Sequence, residues 1–258
     1  MRPYIGICDF THPKQSEEMA SLIPPHFSHD LMVGLMMSHK TLTGLPTKWA
    51  DVFPKKEAIK DIFINHPRVL NTIHYADYEV GDKRDTALAQ TLEAVVHYGG
   101  KHLHAIQLDM IWPDPTELLA FRRQHHLPIV LQVGADAMQL EGDDPLRVCE
   151  RIKTYEDSID CVLFDKSMGK GKGMDAALLT TYVRALSTAC PSMRPAVGGG
   201  LGPQTMYLVP SLVGFFPDIS IDAQGQLRPD GRLETPIDWV RASSYLKQAI
   251  ALFAMAHQ

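Results

Sequence analysis

The chain has 258 residues, is 45% hydrophobic and carries a formal net charge of −5 at pH 7. A chain of this length and composition can bury a large core, and its acidic balance argues against nucleic acid or an anionic membrane surface as a partner. No apolar run reaches the ~18 residues that a membrane-spanning helix needs.

Apolar segments of strand length alternate along the chain with segments of helical character. The segment from Tyr4 to Cys8 is the first predicted strand, and because a charged segment follows it we expect no signal peptide. We predict eight strands, at residues 4–8, 31–38, 68–74, 105–109, 128–133, 161–165, 194–198 and 217–222. We predict helices at residues 13–22, 54–64, 86–98, 115–124, 145–153, 175–188 and 237–256, with a short helix after residue 203.

Eight alternating units of strand and helix indicate a parallel sheet with right-handed crossovers. Eight units in roughly 250 residues match the size of a (β/α)8 barrel, so we predict one barrel domain spanning residues 1–258. A doubly wound open sheet is the alternative, but the first strand is not followed by the glycine fingerprint of dinucleotide-binding folds.

Polar residues stand at the ends of the predicted strands, where a barrel of this kind has its active site. Asp165 follows the sixth strand, and an apolar setting would raise the pKa of its carboxyl and suit it to act as a general acid. Cys8 ends the first strand and is a candidate base or nucleophile if nearby lysines stabilise its thiolate. The structural alternatives are an Asp165 that caps the following loop or pairs with Lys166, and a Cys8 that is simply buried.

Two glycine-rich loops predict an anion site. The segment 198–203, Gly-Gly-Gly-Leu-Gly-Pro, follows the seventh strand, where barrels commonly bind phosphate through backbone N–H groups. Gly199, Gly200 and Gly202 are therefore predicted to bind phosphate, although a tight turn would use the same residues. The loop after Asp165 alternates glycine with lysine, and Gly171 and Lys172 within it would attract and enclose an anionic substrate.

Lys166 offers a different chemistry, because an amine of lowered pKa at the end of the sixth strand could form an imine with a carbonyl substrate. Lys166 neighbours Asp165, so on a regular strand only one of the two points into the barrel mouth. His39, His74 and Asp109 could join Asp9 or Asp222 as metal ligands, but no spacing typical of metal ligands supports this, and we predict neither metal nor cofactor. The four cysteines lack paired spacing, which is typical of reduced thiols in a cytoplasmic compartment.

The ordered strand-end motifs resemble those of phosphoribosylanthranilate isomerase, a (β/α)8-barrel family. The resemblance is carried by the following segments in turn: Ile7-Cys8-Asp9, Gln107-Leu108-Asp109, Leu163-Phe164-Asp165 with Gly171-Lys172 and Asp175, Gly199-Gly200-Leu201-Gly202-Pro203, and Asp218-Ile219-Ser220. It covers the first strand and residues 104–222. Asp9, Asp109 and Asp222 depart from the family's residues at their positions, so the substrate could differ from the family's own.

The resemblance implies a cofactor-free Amadori rearrangement of an aminoaldose phosphate to an aminoketose. Asp165 would protonate the ring oxygen, Cys8 would remove the C2 proton, and the glycines after the seventh strand would hold phosphate. Ser220 and Asp109 would contact the substrate. Two alternatives stay open at the level of sequence: a lyase or aldolase-type enzyme that uses Lys166 as a Schiff base, and a catalytically silent barrel that binds a ligand or a protein partner.

Overall fold

A computed structural model of the chain describes residues 1–78, 87–166 and 175–257. Eight parallel strands close into a barrel in the order of the chain, β1 to β8, so the predicted (β/α)8 fold is confirmed. The strands are β1 (Tyr4–Cys8), β2 (Asp30–Ser38), β3 (Val69–Ala76), β4 (Ala105–Asp109), β5 (Ile129–Gly134), β6 (Cys161–Asp165), β7 (Arg194–Val197) and β8 (Ser220–Ala223).

The strands are apolar on both faces because each strand is covered on both. Side chains alternate between the barrel interior and the surrounding helices. On β6 the ring of Phe164 points outward and lies 5.5 Å from the ring of Tyr182 in a flanking helix, whereas Leu163 and Asp165 point into the barrel. The lower interior is filled by a separate apolar cluster of Tyr4, Met32, Val130, Cys161, Leu163 and Ala196. Polar side chains therefore collect above this layer, toward the carboxyl ends of the strands.

The helices are α1 (Pro13–Ala20), α2 (His39–Thr43), α3 (Ile59–Ile62), α4 (Leu88–Gly99), α5 (Pro115–His125), α6 (Ala135–Leu140), α7 (Pro145–Lys153), α8 (Ala176–Ala189), α9 (Pro210–Phe215) and α10 (Trp239–Ala256). Asp114 and Asp144 cap α5 and α7, and each is followed by a proline in the first turn. An aspartate cap accepts a bond from the first free N–H groups, and proline has no N–H to leave unpaired. Aspartate caps without a following proline also begin α8, at Asp175, and α10, at Asp238.

The structure corrects three predicted boundaries. The helix expected at 54–64 is a short 3₁₀ turn, Lys56–Ala58, followed by the single turn of α3. The strand expected at 68–74 continues to Ala76. The eighth strand starts at Ser220 rather than at residue 217. This last shift moves Ser220 from the end of a strand to its beginning.

Candidate functional site

A cavity of about 630 Å³ opens at the carboxyl ends of the strands. Its described lining includes five predicted site residues, Cys8, Asp109, Asp165, Gly199 and Gly200, together with Asp222 and His74. One side of the cavity is apolar, because Met36, Trp49 and Phe53 belong to a small cluster at the mouth. A polar floor beside an apolar wall is the usual makeup of a small-molecule site.

Cys8 lies at the floor of the cavity and is 1% exposed. Its Sγ lies 3.6 Å from Oδ1 of Asp222 and 3.9 Å from Nδ1 of His74. Burial raises the pKa of the Cys8 thiol well above its ordinary value, and the charges of Asp222 and Asp9 raise it further. Among the described residues, the charged groups that act on the thiol are these two carboxylates and Arg228, whose opposing effect is smaller than theirs. The lysines of the loop after Asp165, Lys170 and Lys172, lie outside the described residues, so their predicted effect on the thiolate stays a prediction.

The sequence nominates Asp222 only as a possible metal ligand, and the structure gives its carboxyl a larger part in the site. Its carboxyl points into the barrel beside Gly6, where an added Cβ would lie 2.9 Å from Cγ of Asp222. Nε2 of Gln107 donates a hydrogen bond of 3.4 Å to its Oδ2. Burial raises the pKa of Asp222 to about 7, so near neutral pH this carboxyl is divided between its acid and its base form. The available signal was an aspartate inside an apolar strand, Ser-Ile-Asp-Ala.

A second set of polar side chains, His74, Tyr78 and Asp109, lies on β3, just after β3 and on β4. The hydroxyl of Tyr78 donates a short hydrogen bond to Asp109, and Nε2 of His74 lies 3.9 Å from the same carboxyl. Burial raises the pKa of Asp109 to about 6 and lowers that of His74 to about 4. His74 is therefore a neutral imidazole at pH 7.

Two glutamines fix the floor between these groups. Nε2 of Gln107 donates to Oε1 of Gln132 at 3.1 Å and contacts both ring nitrogens of His74 at 3.4 Å. Oε1 of Gln107 is buried and has no hydrogen-bond partner within residues 1–78, 87–166 and 175–257. A buried acceptor without a hydrogen-bond donor costs free energy, so Oε1 of Gln107 can accept a hydrogen bond from a ligand bound in the cavity.

Asp165 and Lys166, the neighbouring candidates at the end of β6, point in different directions. Asp165 lines the cavity. The side chain of Lys166 turns outward, and its Nζ lies 2.8 Å from Oδ1 of Asp143 on the protein surface. Lys166 does not appear among the described residues that line the cavity, so its placement does not favour the Schiff-base alternative. Gly171 and Lys172 lie outside the described residues.

The loop after β7 keeps part of its predicted character. Gly199 and Gly200 line the cavity with φ angles of 90° and 72°, a conformation that favours glycine. Among the described residues, none accepts a hydrogen bond from their N–H groups. Gly202 differs, because its N–H donates to Oγ1 of Thr205 at 2.9 Å and an added Cβ would lie 2.6 Å from Cβ of Gln226. Gly202 is thus a packing position.

Ser220 lies at the other end of the barrel from the cavity. It is the first residue of β8, and its Oγ accepts a hydrogen bond of 3.0 Å from the backbone N–H of Tyr4, the first residue of β1. This position is inconsistent with the predicted contact between Ser220 and a substrate at the mouth. The physical reason is the shift of β8, which places Asp222 rather than Ser220 at the level of the site.

Asp9 does not add an unpaired charge beside Cys8. Its backbone adopts φ 70°, and its Oδ2 lies 2.5 Å from Nη2 of Arg228, whose side chain is completely buried. Nε2 of Gln224 donates a further bond of 3.3 Å to Oδ1 of Asp9. No local sequence pattern indicates this pair, because its members are separated by 219 positions.

Within the described ranges, no group of three or more His, Cys, Asp or Glu side chains is arranged to hold a metal ion. No helix among the same residues has the length and apolar character needed to span a membrane.

No protein-family model matches this chain, and no curated protein matches its sequence. Among solved structures it is similar to phosphoribosyl anthranilate isomerase from Thermus thermophilus, with a TM-score of 0.61 and 14% identity over 98% of both chains. It is also similar to a monomeric form of the phosphoribosylanthranilate isomerase from Thermotoga maritima, with a TM-score of 0.59 and 17% identity over 96% of this chain and 98% of the other. The catalytic domain of a chitinase from Pyrococcus furiosus matches with a TM-score of 0.58 and 14% identity over 98% and 94% of the two chains. At these identities the likeness establishes the shared barrel fold and nothing finer.

Proposed function

We propose that this protein is an isomerase that converts a phosphorylated aminoaldose to an aminoketose by general acid–base chemistry. The observation that carries the proposal is the meeting of Cys8, Asp165, Asp222 and the Gly199–Gly200 loop on one cavity. An acid, a proton acceptor and a set of backbone anion donors are the groups that this rearrangement requires. Two of the solved structures with the same fold are named as isomerases of phosphoribosylanthranilate.

Asp165 is the proposed acid. It stands at the inward-facing end of β6, with its carboxyl on the cavity surface. In the proposed reaction it gives its proton to the ring oxygen of the sugar, the bond from C1 to that oxygen breaks, and the nitrogen lone pair forms an iminium. Acid catalysis of this kind typically contributes 10²–10⁴-fold to a rate.

The proposed base is the pair formed by Cys8 and Asp222. The iminium is discharged when the C2 proton leaves, and the two electrons of that bond form the enamine. Asp222 can take this proton directly, or take the proton of Cys8 across 3.6 Å so that the thiolate accepts the one from C2. Either route needs the ionised form of Asp222, so we expect activity to rise with pH around the Asp222 pKa of about 7.

The proposed phosphate contacts are the N–H groups of Gly199 and Gly200. These groups reach the cavity without a protein acceptor in the described part of the chain. Backbone N–H groups bind phosphate without adding a charge to the site. This matters because the neighbouring Asp222 would compete with the phosphate for any nearby cation.

The test is turnover of phosphoribosylanthranilate and of phosphorylated aminoaldoses with other amine parts, followed by chromatography of substrate and product. We expect Asp165→Asn and Asp222→Asn each to reduce kcat at least 100-fold, because each removes a proton-transfer group without changing its size. Lys166→Gln is the matched control, since its partner Asp143 lies outside the cavity.

Full activity in Asp165→Asn would overturn the assigned acid. Loss of activity in Lys166→Gln, together with a borohydride-trapped adduct on Lys166 of the wild type, would replace the isomerase by the Schiff-base alternative. Tight binding of these sugar phosphates without turnover by the wild type would instead identify a silent binding barrel.

A further inference from the structure

Arg228 is a completely buried arginine in the segment that connects β8 to α10. Its guanidinium makes three hydrogen bonds to three parts of the chain. Nη2 lies 2.5 Å from Oδ2 of Asp9, Nη1 lies 3.0 Å from the carbonyl oxygen of Gln224, and Nε lies 2.6 Å from that of Thr235. Burying a guanidinium costs free energy unless its N–H groups are hydrogen-bonded. Here each of the three guanidinium nitrogens donates to an acceptor.

The positions of these partners connect Arg228 to the floor of the cavity. Asp9 directly follows Cys8, and its backbone N–H is bonded to the carbonyl oxygen of Gly34 at 2.8 Å. Gln224 stands two residues after Asp222 and is itself bonded to Asp9. Arg228 therefore joins the residue after Cys8 to the segment after Asp222, across the seam between β1 and β8.

We propose that Arg228 is a positioning residue that holds Cys8 and Asp222 in contact and neutralises Asp9 beside them. The proposal rests on the proposed function, in which those two groups form the base. The role of Arg228 can be tested independently of that function, because it concerns the ionisation of the Cys8 thiol and the distance between Cys8 and Asp222. A lysine at this position would keep the charge but could not reproduce the fork that reaches three acceptors.

The charge of Arg228 matters because the described carboxylates beside the thiol, Asp222 and Asp9, disfavour its ionisation. Among the described residues, the titratable and charged groups that face Cys8 from the packed elements are Asp222 on β8, His74 on β3, Asp9 after β1, Arg228, Tyr4 on β1 and Tyr245 on α10. Removing Arg228 would leave the carboxylate of Asp9 uncompensated next to the thiol. The thiolate would then form at higher pH.

The experiment measures the rate at which iodoacetamide alkylates Cys8 as a function of pH, read by mass spectrometry on the intact chain. Cys8 lines the cavity, whereas the other three cysteines are buried elsewhere, and Cys8→Ala gives their background rate. We expect Arg228→Met to slow alkylation at pH 8 about tenfold, which corresponds to a thiol pKa higher by one unit. Arg228→Lys is expected to stay within about threefold of the wild-type rate, because it retains the charge.

Turnover supplies the second readout. Arg228→Lys is expected to lower kcat at least tenfold with little change in KM, because the gap between Cys8 and Asp222 is no longer fixed. If Arg228→Met does not fold, Asp9→Asn tests the same ion pair by removing its negative partner. We expect this substitution to speed alkylation, because the carboxylate that disfavours the thiolate is gone.

Wild-type alkylation profiles in folded Arg228→Met, or in Asp9→Asn, would overturn the proposal. If the wild type shows no isomerase activity, the proposed function fails while the alkylation profiles still decide the role of Arg228.

Discussion

The substitution Asp222→Asn tests the energetic consequence of a carboxyl inside the barrel. The pKa of Asp222 is about 7 in the folded protein, against 3.8 for an ordinary aspartate. Between these two pH values the folded state binds more protons than the unfolded state, so this group makes the protein less stable as the pH rises. A shift of about three units corresponds to at most about 4 kcal/mol, reached when the pH exceeds 7.

Asparagine has the same shape and cannot ionise, and its side-chain oxygen can still accept the bond from Gln107. The two proteins should therefore be about equally stable near pH 4, and the variant should become more stable by up to about 4 kcal/mol near pH 8. The difference between them is the useful quantity, because His74 acts in the opposite sense. Its lowered pKa of about 4 makes the wild type gain stability as the pH rises toward 6.5.

The assay is urea unfolding at half-unit steps from pH 4 to pH 8, with the midpoint and slope compared at each pH. Asp218→Asn is the matched control, since the Asp218 side chain is 69% exposed and its ion pair with His257 lies at the surface, so its loss should change the curve by no more than about 0.5 kcal/mol. A difference between wild type and Asp222→Asn that stays constant across this range would refute the assignment of a raised pKa to Asp222.

Two further substitutions test packing and capping. Gly6→Ala would place a methyl group against the carboxyl of Asp222, and we expect a loss of about 1–3 kcal/mol in urea unfolding, as for other overpacked cores. Gly214→Ala is its control, because an added Cβ there meets nothing within 4 Å; equal effects of the two would contradict the packing argument. Asp238→Ala removes the side chain that caps the 18-residue helix α10 and should cost about 1 kcal/mol by the same assay. An unchanged midpoint would show that this cap does not stabilise the helix.

The barrel could be predicted from the sequence because its signals are local. Continuous apolar runs identified the strands, and the Asp114-Pro115 and Asp144-Pro145 pairs marked two helix starts within the range of a few residues. The alternation rule also predicted that only one of Asp165 and Lys166 enters the mouth, although it could not say which. The structure decides this in favour of Asp165, which lines the cavity, while Lys166 pairs with Asp143 outside it.

The electrostatic character of the site could not be predicted, because it depends on partners distant in the chain. A cysteine at a strand end looks the same in sequence whether lysines or carboxylates surround it. The neighbour of Cys8 is Asp222, and the neighbour of Asp9 is Arg228. The predicted eighth strand, residues 217–222, starts three residues before β8, and nothing local in the sequence shows that Asp222 lies against Cys8 while Ser220 lies at the opposite end of the strand.

The contact between Gly6 and Asp222 ties two distant sequence positions to one another. The carboxyl occupies the space that a Cβ on residue 6 would need, so a chain that carries this aspartate is more stable with glycine opposite it. Overall identity of 14–17% to solved barrels is too low to group such proteins by alignment alone. A barrel sequence can instead be searched for two residues together: a glycine two positions before the cysteine of the first strand, and an aspartate in the eighth strand. Sequences that contain both are expected to place a cysteine and a carboxyl together at the bottom of the cavity.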